Sequence, residues 1–132
     1  WYSNVLLPDG GWLWYLGKTA FSMTTRYCFG LDLKADPALI AEYERYHRAV
    51  WPEILASIKA AGIVQLDIYR VANRLFMIME TDESFSFEAK AAADAANEKV
   101  QEWELLMWKY QQAIPGGASG EKWRRMELLF SL

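Results

Sequence analysis

Histidine, cysteine and basic surplus are all scarce in this chain, and each shortage excludes something. In 132 residues there is one histidine, His47, and one cysteine, Cys28. A single cysteine cannot form an intramolecular disulfide, and Cys28 has no partner at metal-ligand spacing. One histidine among scattered carboxylates is too thin a donor set for zinc, so no metal is expected. Lys and Arg number 14 against 17 Asp and Glu, a net charge of -3. Nucleic-acid binding calls for a basic face, so no nucleic-acid partner is expected. The basic residues are dispersed and no apolar run reaches bilayer-spanning length, so no membrane partner is expected either. A Gly-rich phosphate loop and a nucleophile-elbow motif are both missing. The lone thiol fits a reducing cytoplasm.

Aromatic residues are plentiful, with seven Trp and seven Tyr. They suit a core, a subunit interface or a pocket that stacks on a ring-shaped ligand. The length fits one domain that buries roughly 68% of its unfolded surface. Residues 1–22 read differently from the rest, with Pro8-Asp9-Gly10-Gly11 as a break. Lys18 follows their apolar run, whereas a secretory signal has its basic residues first. Met23 opens a clean strand pattern. Residues 1–22 are therefore expected to be an atypical N-terminal extension, an expression or start-site artefact, with 23–132 the single domain. A segment docked through its tryptophans is the competing expectation.

Thr24 to Leu33 reads as a strand. Asp36-Pro37 is a strong helix start, with Asp as N-cap and Pro at the first position. At about 100° per residue, Leu39, Ile40, Tyr43, Tyr46, His47, Val50 and Trp51 share an arc roughly 140° wide. Pro52 should break this helix and open a second one that ends near Gly62. Ile63 to Val71 alternates as a half-buried strand, with Val64, Leu66 and Ile68 on one side and Gln65, Asp67 and Tyr69 on the other. Ala72-Asn73 turns it into a buried strand over 74–81. Ser84 or Ser86 caps a helical region that runs to Ala113 with a break near Asn97. Its stripe is Val100, Trp103, Met107, Tyr110 and Ile114, with Trp108 off it and in need of another cover. Residues 121–132 are expected to form the last strand.

The order is β-α-β-β-α-β, which predicts an α+β ferredoxin-like fold with an antiparallel sheet. Two helices cover one sheet face. The other face is left apolar, and a homodimer of the dimeric α+β barrel type would cover it.

Chemistry concentrates at Tyr43-x-x-x-His47-x-x-x-Trp51-Pro52-Glu53. Positions four apart share a helix face, and an imidazole titrates where general acid/base catalysis needs it. A histidine on such a face is also a common satisfied core residue. Glu80 and Glu127 lie on strand positions, and each is a candidate second proton carrier or a solvated rim carboxylate.

From Met23 to Leu132 the chain resembles L-rhamnose mutarotases. The likeness rests on Leu31-Asp32-Leu33, Tyr43-x-x-x-His47, Trp51-Pro52-Glu53 and Gly62. Ile68-Tyr69, Trp108-Lys109-Tyr110 and Met126-Glu127-x-x-Phe130-x-Leu132 extend it. The resemblance implies a dimeric enzyme that interconverts the α and β anomers of a 6-deoxy-hexose without cofactor. It implies His47 as proton donor, with Tyr43 and Trp108 contacting the sugar. Trp51, Tyr69, Leu66 and Met107 complete the expected binding set. Leu66 stands where members often carry Tyr, and Met107-Trp108 where they carry Trp-Trp. Both changes remove sugar-facing groups, which makes L-fucose an alternative to L-rhamnose. Two rival readings remain at this point: a cofactor-independent or haem-linked monooxygenase, and a non-enzymatic small-molecule-binding domain.

Overall fold

The computed structural model describes residues 2–6, 12–16, 23–117 and 121–132. Strands β1 (Tyr2–Leu6) and β2 (Trp12–Leu16) form an antiparallel hairpin, with Tyr2 opposite Leu16. Residues 17–22, which lead from it to Met23, lie outside the described residues.

Strand β3 (Thr25–Leu33) is the centre of the main sheet. It pairs antiparallel with β5 (Arg74–Thr81) on one side. On the other side it pairs with β6 (Gln111–Gln112) and β7 (Arg124–Arg125). Strand β4 (Ile63–Val71) pairs with β5 and forms the opposite edge. The strand order is the antiparallel ferredoxin-like one expected from the element order.

Side-chain alternation divides the sheet into two faces. Phe29, Leu31 and Leu33 of β3 and Leu75 and Met79 of β5 are buried toward the helices. Cys28, Phe76 and Ile78 point the other way and stay half-buried. No helix of the described chain covers this second face.

Asp36 caps α1 (Pro37–His47), accepting from the N–H groups of Ala38 and Leu39 at 2.9 and 3.3 Å. Pro52 opens α2 (Pro52–Ala60), so the break expected there is present. It falls earlier than the apolar arc implied: the first helix stops at His47, and Val50 and Trp51 lie in the link. The cause is steric, since the residue before proline is pushed to extended backbone, and Trp51 has φ -56° and ψ 137°. Gly62 follows α2 at φ +92°, a conformation a side chain would resist.

Ser86 caps α3 (Phe87–Ala95), and Asn97 breaks the region by capping α4 (Glu98–Trp108). The helix ends at Trp108, short of the expected Ala113, because Gln111 and Gln112 pair with Leu33 and Asp32 instead. The last strand is also shorter than expected. Only Arg124–Arg125 pairs as β7, and residues 127–132 take no partner strand among the described residues.

Candidate active site between the helices and the sheet

Tyr43, Leu33, Ile54, Leu75, Val100, Trp103 and Met107 form one buried cluster between helices and sheet. Beside it lies a cavity of about 530 Å³, within the usual range for small-molecule sites. Its apolar wall includes Val50, Ile54, Ile58, Ile68 and Met77. Its polar groups are few and close together: Tyr43, His47 and Gln111, with Lys59 and Gln65 at the exposed rim.

Helix spacing sets the central pair. Tyr43 and His47 are one turn apart on α1, and their rings lie 4.2 Å centroid to centroid, tilted by 33°. Nδ1 of His47 donates to the carbonyl oxygen of Tyr43 at 2.9 Å. A carbonyl only accepts, so this bond places the proton of neutral His47 on Nδ1 and leaves Nε2 with its lone pair. Burial pushes the imidazole pKa below its ordinary 6.5, with the backbone hydrogen bond opposing in part. The resting side chain at neutral pH is therefore a base.

Tyr43 is set the opposite way. Burial pushes its hydroxyl up to about 12, against a hydrogen bond shared with the Gln111 side chain. The phenol keeps its proton across the physiological range. A proton donor and a proton acceptor thus sit side by side in a largely apolar cavity, an arrangement able to give one proton and take another.

Of the residues singled out from the sequence, Tyr43, His47, Leu66 and Met107 line the cavity. Trp51 does not; it packs edge-on against Trp103 at 5.1 Å and supports that wall from behind. Trp108 does not line it either. Its cover is Lys122, whose Nζ stands 5.3 Å from the ring centroid. Tyr69 lies on the open sheet face beside Phe76, 58% exposed. Of the carboxylates weighed as second proton carriers, Glu80 pairs with Arg26 at 3.1 Å, and neither it nor Glu127 reaches the cavity.

Among the lining residues that the sequence reading did not mark as site residues are Trp103, Gln111 and Trp123. Trp103, seen only as part of the α4 stripe, approaches His47 edge-on at 5.7 Å. It lies one turn before Met107, so the helical face alone could have joined them. Gln111 follows the helix end and was read as helical. Trp123 comes from the loop before β7, and no local pattern marks it. Among the described residues no group of three His, Cys, Asp or Glu could hold a metal, and no helix is long and apolar enough to cross a membrane.

Comparison with known proteins identifies the family. A family model described as L-rhamnose mutarotase matches residues 26–132. An L-fucose mutarotase of Xanthomonas campestris pv. campestris is 51% identical over 109 residues, spanning 81% of this chain and 87% of that protein. An L-rhamnose mutarotase of Escherichia coli is 31% identical over 84 residues, spanning 62% and 73%. The crystal structure of an L-rhamnose mutarotase from Formosa agariphila superposes with a TM-score of 0.61 at 22% identity. That match covers 82% of this chain and 98% of the other, a likeness of fold.

Proposed function

The chain belongs to the L-rhamnose mutarotase family, and from that premise we propose that it interconverts the α and β anomers of a 6-deoxy-hexose, with L-fucose preferred. The observation that carries the mechanism is the Tyr43–His47 pair, a protonated phenol stacked on a neutral imidazole in one cavity. In the forward half-reaction, Nε2 of His47 takes the proton of the anomeric hydroxyl. The electrons left on that oxygen form the aldehyde C=O as the bond from C1 to the ring oxygen breaks. Tyr43 delivers its proton to the departing ring oxygen. A phenol pushed up to about 12 is well matched to this step, because the leaving group is an alkoxide. The aldehyde then rotates about the C1–C2 bond. Closure runs the same transfers backward: Tyr43 recovers a proton from the hydroxyl, and imidazolium His47 returns one to the new anomeric oxygen. Each transfer typically contributes about 10²–10⁴-fold.

Two features favour L-fucose. The relative with 51% identity carries that name. Leu66 and Met107 also give the cavity wall aliphatic groups at positions where family members often have Tyr and Trp. The Trp103 and Trp123 rings offer apolar faces to the C–H surface of the sugar.

The enzyme works as a homodimer in this reading. Its open sheet face, with Phe76, Ile78 and Cys28 half-buried and Tyr69 and Val71 exposed, needs a cover of matching apolar shape. The cytoplasm is the compartment of choice, since a single free Cys28 suits reducing conditions.

Saturation exchange between the two anomeric proton signals tests the activity directly. Protein-dependent exchange of L-fucose faster than L-rhamnose is expected. No acceleration of either sugar would sink the reading.

A further inference from the structure

Resting on the mutarotase reading above, we propose that Trp123 is a specificity-determining residue of the cavity. Its indole stacks on the C3–C4–C5 face of the sugar and selects rings with an axial hydroxyl at C4, the galactose configuration that L-fucose has. The rings that line the cavity are those of Tyr43, His47, Trp103 and Trp123. The first three are committed to one another. Tyr43 and His47 are stacked at 4.2 Å. Trp103 is only 8% exposed, and it meets Trp51, His47 and Tyr46 edge-on at 5.1, 5.7 and 6.3 Å. Trp123 is half-buried, and among the described residues no aromatic ring or cation is stacked on it. It is the lining ring with a face to offer.

The segment that carries the indole is fixed on both sides, which makes the ring a preorganised surface. Before it, Lys122 Nζ lies 3.8 Å from a Glu104 carboxylate oxygen and 5.3 Å from the Trp108 ring centroid. After it, Arg124 Nη1 donates to the Pro115 carbonyl oxygen at 3.2 Å. The Arg125 guanidinium stands 4.7 Å from the Tyr27 ring centroid and 5.5 Å from that of Phe87. Met126 N–H donates to the Cys28 carbonyl oxygen at 2.7 Å. None of these contacts uses the indole. The ring itself packs on the buried cluster that holds Tyr43 and Met107 and on the one formed by Phe29, Ile63 and Met79.

Sugar stereochemistry supplies the rest. A pyranose meets an aromatic ring through contiguous C–H groups, and an axial hydroxyl obstructs the face on which it stands. An axial O4 leaves C3–H, C4–H, C5–H and the C6 methyl contiguous on the opposite face. Turning O4 equatorial moves C4–H to the other face and breaks that patch. An axial O2, as in L-rhamnose, places the contiguous patch at C1 to C3 instead. The reacting atoms, C1 and the ring oxygen, must meet Tyr43 and His47. Trp123 makes no ring contact with either, so it faces the far half of the sugar, where the galactose configuration has its patch. The bond that breaks, C1 to the ring oxygen, and the bond that rotates, C1–C2, both lie outside that half. The stack therefore holds the sugar through opening, rotation and closure.

6-Deoxy-L-glucose differs from L-fucose only at C4, so this pair of sugars isolates the effect. Anomer exchange should give the parent a kcat/KM for L-fucose about 10–100-fold above that for 6-deoxy-L-glucose. Trp123→Leu should bring the two within about threefold, through a KM for L-fucose raised about tenfold with kcat little changed. Trp123→Phe keeps a ring and should retain most of the preference. Equal losses on both sugars, a ratio that Trp123→Leu leaves intact, or a parent that does not discriminate overturns the proposal. Because the Leu variant can also cost the fold, saturation transfer from aromatic protons of the parent to bound L-fucose reads the contact without turnover. C4–H, C5–H and the methyl should be enhanced over C2–H. Anomer exchange without that enhancement overturns the stack and leaves the mutarotase reading standing. The enhancement without anomer exchange sinks the mutarotase reading and supports the stack.

Discussion

His47 donates from Nδ1 to the carbonyl oxygen of Tyr43 at 2.9 Å, and in the proposed mechanism that one bond sets which way the proton first moves. It leaves Nε2 as the acceptor, so in the proposed mechanism His47 begins the cycle by taking a proton and donates only on ring closure. His47→Gln keeps an N–H donor but removes the base, and anomer exchange should fall by about 10²–10⁴-fold. NMR saturation exchange measures it. The pH profile of the parent follows from the lowered pKa. The rate should be level above pH 6.5 and fall as acid protonates the imidazole at its depressed value. Stability follows the same sign. Below 6.5 the unfolded histidine binds a proton that the folded one refuses, so stability declines with falling pH until the folded pKa is passed. Urea midpoints across this range should slope more for the parent than for His47→Gln.

Tyr43→Phe keeps the ring stack and most of the burial but deletes the acid. The exchange rate should drop by about 10²-fold or more. Alkaline stability gives a separate readout. The folded pKa is raised from 10 to about 12, so the contribution is complete below pH 10 and lost as pH climbs toward 12. A two-unit shift corresponds to at most about 3 kcal/mol. The parent should lose stability over that window by more than the Phe variant does.

Gln111 holds the Tyr43 hydroxyl without itself being able to transfer a proton. Gln111→Leu removes a group that lowers the phenol pKa, so absorbance titration should find Tyr43 ionising at still higher pH. Exchange should slow by about tenfold, the worth of one net hydrogen bond. An unchanged titration would mean the amide does not control the hydroxyl.

Gly62→Ala tests the turn that joins α2 to β4. Its φ is +92°, and a Cβ there would stand 2.5 Å from both Asp82 Oδ1 and Ser84 Oγ. Those two atoms are already bonded to each other at 2.5 Å, so they have little room to yield. Strain and clash together should cost about 2–3 kcal/mol in urea unfolding.

Local chemistry explains what could be read in advance. Asp36-Pro37, Pro52, Ser86 and Asn97 act within three residues of themselves, so helix starts were visible in the sequence. So was the α1 face that joins Tyr43 to His47. Tertiary pairing decided the rest. Gln111 leaves a helical pattern because β3 offers it a partner strand, and Trp123 reaches the cavity from a loop with no periodicity. Trp51 and Trp108 belong to the family pattern yet sit behind Trp103 and under Lys122. Tyr69 was put on the side opposite Leu66 by alternation alone, and that side is the open face.

Leu66 and Met107 make sugar preference testable. Both line the cavity, one from β4 and one from α4, and neither can hydrogen-bond a sugar hydroxyl as Tyr or Trp would. Leu66→Tyr adds a phenol at the half-buried end of the wall, where there is space for it. Met107→Trp is harder, because Met107 is buried and added volume there should cost about 1–3 kcal/mol. Introduced together, the two should raise the ratio of L-rhamnose to L-fucose exchange rates by about 10–100-fold. Tyr43 and His47 are untouched, so the pH profile should stay that of the parent. A changed ratio with an unchanged profile would locate specificity in the wall and chemistry in the helix pair. Loss of both sugars in equal measure would show only that the wall had been overpacked.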